Sequence, residues 1–102
     1  MSPREVVVSF GAENDVIDIL SYIAERNPLA AGAMGAKFEA LFDRIAAAPN
    51  AGTKSAIDRS MRRRNLGNYA IYYEFDDAND RIIIMAVVHG ARIHHRMRDH
   101  QS

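Results

Sequence analysis

Residues 85–95 of this 102-residue chain read MAVVHGARIHH, an apolar run that reaches His89 and Gly90 and is followed by Arg92, His94 and His95. These residue types suit three kinds of chemistry. Imidazole titrates near neutral pH and can pass a proton. Guanidinium holds a phosphate or carboxylate through paired hydrogen bonds. Histidines with carboxylates bind divalent metals. The metal reading would draw on His95, Asp99 and His100, whose separations suit one helix face. Arg92, Arg96 and Arg98 in the same segment would repel a dication, so no metal site and no cofactor is expected, and residues 94–102 read as a flexible tail. His89, at a strand end, reads as a hydrogen-bonded structural residue.

A second concentration of polar groups lies upstream, where Arg62, Arg63 and Arg64 precede Tyr69, Tyr72 and Tyr73. On a strand, Arg62 and Arg64 share one face and Arg63 takes the other. Such a run either solvates a sheet edge and discourages unwanted pairing or meets an acidic or phosphate-bearing partner. An exposed tyrosine beside it would stack on a base or anchor a protein contact.

The length allows one domain with a modest core, residues 1–102. Formal net charge is zero, from 13 basic and 13 acidic residues, which is not the balance of an indiscriminate nucleic-acid binder. The charge is unevenly spread: residues 1–50 hold four Lys/Arg against seven Asp/Glu, and residues 51–102 hold nine against six. There is no cysteine, which excludes thiolate chemistry and disulfides. The N-terminal MSPREVVVSF lacks the pattern of a signal peptide, and no apolar run approaches the roughly 20 residues of a membrane span. A cytoplasmic protein is expected.

The elements that must position the polar groups follow from periodicity. EVVVSF, residues 5–10, is β-branched and aromatic and predicts a strand closed by Gly11. In residues 12–26, Val16, Ile19, Leu20 and Ile23 recur at three and four, with Asp15, Asp18, Tyr22 and Glu25 gathered opposite, which predicts an amphipathic helix. A second helix is bounded by Asn27 and Pro28 at its start and Pro49 and Asn50 at its end, with Met34, Phe38, Leu41, Phe42 and Ile45 as its apolar stripe. Gly32, Gly35 and Ala36 leave room for a close neighbour, and the short corner at Asn27 predicts an antiparallel helical hairpin. Residues 51–58 read as a loop. Three strands follow: SMRRRNL, then NYAIYYEF after a turn at Gly67 and Asn68, then RIIIMAVVH, too continuously apolar for a sheet edge. The fold class is α+β, β-α-α-β-β-β: an N-terminal strand, a helical hairpin and a three-stranded antiparallel sheet.

Taken together, the hairpin DVIDILSYIAERNPLAA, the proline ending the second helix, the basic strand before NYAIYYEF, and IIIMAVVHGAR resemble the RelE/ParE superfamily of type II toxin–antitoxin toxins over about residues 5–93. The resemblance implies a cytoplasmic growth-inhibiting toxin, neutralised by a small ParD-like or related antitoxin that wraps it. It implies no membrane and no direct sequence-specific nucleic-acid binding. The superfamily has two branches, ribosome-dependent metal-free messenger RNA endonucleases and DNA gyrase inhibitors. In the nuclease branch an arginine follows the tyrosine of a YRLVY pattern, where this chain has Ala70. Losing one such donor costs about 3 to 4 kcal/mol of transition-state stabilisation. HGAR at residues 89–92 looks more like the gyrase-directed branch. The resemblance therefore implies a gyrase-binding toxin with no catalytic residue, in which Arg62, Arg64, Tyr72 and Arg92 meet the target and Tyr22 and Arg63 meet the antitoxin. The alternative is a nuclease using Arg92 and His94, although Ile93 replaces the aromatic expected between them and the chain runs eight residues further.

Overall fold

The structure, a computed structural model, describes residues 4–55 and 60–90. Its elements in chain order are β1 (Glu5–Val8), α1 (Phe10–Arg26), α2 (Pro28–Ala47), β2 (Thr53–Lys54), β3 (Arg62–Leu66), β4 (Tyr69–Asp76) and β5 (Arg81–His89). Short 3-10 turns at Pro49–Ala51 and Asp77–Asn79 precede β2 and β5. This is the expected α+β class, but the sheet has five strands in the order β1-β5-β4-β3-β2, not three. β1 lies parallel to β5, and the other pairings are antiparallel. The parallel pair needs a long crossover, and the helical hairpin supplies it. β2 falls inside the stretch expected to be loop, since two residues are too few to show a period.

β1 is shorter and α1 longer than the sequence predicts, because Ser9 caps the helix. The Ser9 hydroxyl accepts from the Ala12 amide at 3.1 Å, so Phe10 and Gly11 are helical and Phe10 is 81% exposed. Asn27 ends α1 and begins α2 as expected, its side chain accepting from the Ala30 amide at 3.1 Å with Pro28 following at the first helical position. Where α1 and α2 meet, a Cβ on Gly35 would touch Leu20 at 3.4 Å, whereas Gly32 faces nothing within 4 Å.

Ala12, Phe38, Leu41, Ile45, Ile71, Tyr73, Ile82, Ile84 and Val87 form the core beneath the helices. A smaller cluster on the other sheet face joins Met61, Ala70, Tyr72, Ala86 and Val88. Tyr72, expected at the target surface, is 1% exposed within that second cluster. β4 contributes buried side chains to both clusters, Ile71 and Tyr73 to the first and Ala70 and Tyr72 to the second.

One irregularity governs what the end of β5 presents. Tyr72 pairs with Ala86 but Tyr73 with Ile84, so Met85 is an extra residue, a β-bulge. Ile82 and Ile84 face the helices before it; after it Val87 does so, while Ala86 and Val88 join the opposite cluster. The side-chain alternation has changed parity. Elements at the N-terminus of α1 bind the bulged backbone: the Ser9 amide donates to the Ile84 carbonyl at 3.0 Å, the Ser9 hydroxyl to the Met85 carbonyl at 3.3 Å, and the Val87 amide to Asp15 Oδ2 at 3.0 Å.

Candidate functional site

The end of β5 lies beside the turn between β3 and β4. Gly67 in that turn has φ +57°, a left-handed conformation that glycine adopts without steric cost. The Gly90 amide donates to the Asn68 carbonyl at 2.6 Å, fastening the strand end to the turn. Tyr69 pairs with His89 across β4 and β5, and their rings meet edge to face at 5.5 Å. Tyr69 also meets Phe38 edge-on at 5.7 Å, which anchors the pair in the core. His89 is thus an exposed residue held by a ring contact.

Among the described residues, hollows open on several sides of this pair. One, of about 400 Å³, is lined by Arg63, Asn65, Asn68, Ala70, His89 and Gly90 among others. A second, of about 360 Å³, adds Met34, Lys37 and Leu66. The third, of about 400 Å³, lies between α1 and the strand end, with Asp18, Ile19, Tyr22, Tyr69 and His89 on its walls. The first two carry the cations Arg63 and Lys37; the third carries the carboxylate of Asp18.

The arginine run divides as the alternation predicts. Arg62 and Arg64 pair with Tyr73 and Ile71, which face the helices, and Arg63 pairs with Tyr72 on the other side. Arg62 is tied into the fold: its Nη1 donates to the Gly52 carbonyl at 2.8 Å and its guanidinium lies 6.0 Å from the Phe75 ring centre. Arg63 shares the first hollow with the β5 end, away from Arg62 and Arg64. Tyr73 donates from its hydroxyl to the Pro49 carbonyl at 2.6 Å. Burial pushes that phenol above its ordinary pKa, against opposing effects from the Gly52 backbone, Arg62 and Arg64, so it stays a donor. Tyr22 stands 61% exposed on α1, with the Arg26 guanidinium 4.2 Å over its ring. Arg92 and His94, like His95, Asp99 and His100, lie outside the described residues. Among the described residues no group of three or more His, Asp or Glu is arranged to hold a metal.

The sequence matches the ParE toxin of type II toxin–antitoxin systems over residues 6–94, which is most of the chain. The chain belongs to the ParE toxin family. Its fold is similar to that of a chain in the crystal structure of the RelBE2 toxin–antitoxin complex from Mycobacterium tuberculosis. That likeness has a TM-score of 0.60 at 20% identity, covering 86% of this chain and 99% of the other. A comparison with curated proteins finds no match. Ala70 is 2% exposed and lines the hollow beside Arg63 and Gly90.

Sequence reasoning missed Ser9 and Asp15, whose contacts shape β5, and the pairing of Tyr69 with His89. Ser9 stood in a recognisable capping position. Asp15 carried no such signal, because a carboxylate on the polar side of a helix looks the same whether it meets water or a distant amide.

Proposed function

We propose that this chain is the toxin of a type II toxin–antitoxin pair, that it inhibits bacterial growth in the cytoplasm by binding DNA gyrase, and that it has no chemistry of its own. The target surface comprises the β5 end with Arg92 and, in place of the antitoxin contact expected from the sequence, Arg63, which lines the hollow at that end; Arg64 lies on the opposite face of β3 with Arg62, which orients the strand through Gly52. A cognate antitoxin, ParD-like or related, docks on the outer face of the helical hairpin around Tyr22, whose 61% exposure suits a partner contact. No described helix is long and apolar enough to cross a membrane.

The observation that supports this reading is Ala70, a methyl 2% exposed at the position where the resemblance puts the nuclease branch's arginine; Arg63, from the neighbouring strand, is the cation that lines the same hollow. RNA cleavage also needs a base and an acid in hydrogen-bond reach of the reacting atoms. The competing reading, a ribosome-dependent endoribonuclease, rests on Arg92 and His94.

The test is to induce the protein without antitoxin in bacteria and to follow DNA and protein synthesis by pulse labelling over the first minutes. Early failure of DNA synthesis with a DNA-damage response is the expected result. Early failure of protein synthesis with cut messages would overturn it in favour of the nuclease.

A further inference from the structure

The hollow between α1 and the β5 end differs in charge from its neighbours. Among the described residues its walls are Tyr22, Tyr69 and His89, Ile19 adds an apolar surface, and Asp18 is its one carboxylate. Asp18, Tyr22 and Glu25 are exposed and recur at four and three along α1, so two carboxylates stand against the one guanidinium of Arg26 on this face of the helix. Aromatic rings and a carboxylate around one hollow favour a cation: the ring faces attract it through their quadrupole, and the carboxylate neutralises it. This chain already uses one such ring in that way, since the Arg26 guanidinium lies 4.2 Å over Tyr22.

The bulge in β5 makes this hollow. With unbroken alternation from Ile84, position 89 would fall on the sheet face away from the helices; the extra residue at Met85 turns His89 toward α1, beside Tyr69. Arg63 and Lys37 line the adjoining hollows instead, so a basic group approaching this end of the sheet is directed to the Asp18 side.

We propose that this hollow receives an arginine side chain of the antitoxin, its guanidinium taking the place against the Tyr22 ring that Arg26 fills in the free chain and pairing with Asp18. A planar guanidinium satisfies stacking and a carboxylate together, which a lysine ammonium does not. The inference rests on the antitoxin part of the proposed function and is independent of the toxin's target.

The first measurement uses the full chain in solution, titrated with N-acetyl-arginine methylamide and, separately, N-acetyl-leucine methylamide, with NMR shifts read at Tyr22, Tyr69 and His89. Saturable shifts with the arginine probe alone, weakened about two- to fivefold by Asp18→Asn and by Tyr22→Leu, are expected for a solvent-accessible cation–π contact. Both side chains are exposed, so these variants keep the fold. Equal response to the leucine probe, or no change in Asp18→Asn, overturns the proposal.

The second measurement binds the antitoxin encoded beside the gene to wild type and to Asp18→Asn. Tighter binding to wild type supports the antitoxin as the source of the arginine. Equal binding to both overturns the hollow while leaving the toxin–antitoxin reading intact. Failure of the antitoxin to bind either protein overturns that reading, with the small-probe titration still reporting on the hollow.

Discussion

Val87 would have a bare amide where β1 stops, were the Asp15 carboxylate not 3.0 Å away. Its last parallel pairing, Val8 with Ile84, lies three residues earlier, and the β1 side of β5 has no strand beyond it. Asp15→Leu is expected to lower stability by about 1 to 3 kcal/mol by leaving a buried donor unsatisfied. Asp15→Asn should lose much less, since its amide oxygen still accepts. Urea unfolding of the two variants, with hydrogen exchange at the Val87 amide, measures the difference, and equal losses would refute the contact. Asp76 makes a second prediction at this scale. Hydrogen bonds from Asn79 and Arg81 hold its carboxyl below its ordinary pKa. A lowered native pKa contributes stability above the unfolded value of about 4 and loses it as pH falls through the native value. Asp76→Asn should therefore flatten the decline in thermal midpoint below about pH 4, and an unchanged acid limb would count against it.

Between β2 and the helices, the fit is set by one glycine. A Cβ on Gly52 would overlap the Tyr73 hydroxyl and stand 3.0 Å from the Arg63 carbonyl oxygen. Tyr73 is fully buried and hydrogen-bonded to Pro49, so it cannot swing aside. Gly52→Ala is expected to cost about 1 to 3 kcal/mol through overpacking, detectable by chemical denaturation. The same change in a Tyr73→Phe background should cost less, because the overlapping oxygen is gone. Arg62, bonded to the Gly52 carbonyl, belongs to this corner of the fold as well as to the basic strand. The arginine run was visible in the sequence, but its division into an anchored Arg62 and an Arg63 lining the β5 hollow depends on which neighbour each face meets.

For the whole molecule, the parallel pairing of β1 with β5 brings the first and last described strands together, and the antiparallel pairing of β4 with β5 sets the β5 terminus beside the β3–β4 turn. The proposed binding function needs Arg92 displayed from that terminus and no proton transfer by His94. His94→Gln should therefore leave growth inhibition within about twofold of wild type in an induction assay, since a non-catalytic imidazole is replaced by a polar side chain of similar reach. A collapse of toxicity would favour the nuclease.

The helical hairpin, its Asn27 corner, the β3–β4–β5 meander and the family resemblance were all legible in the residues, because caps and amphipathic periods are local properties with local signatures. So was the opposition of Tyr69, Ile71 and Tyr73 to Ala70 and Tyr72 on β4. The sequence could not show that β1 joins β5 across 76 residues of chain, that Tyr72 is enclosed, or that Met85 shifts the parity of everything after it. Each of these depends on partners distant in the chain. A bulge is defined by the strand opposite, burial by what lies over the face, and the Asp15 contact by an amide brought to it through folding, so the composition of the β5 hollow was decided only by the tertiary structure.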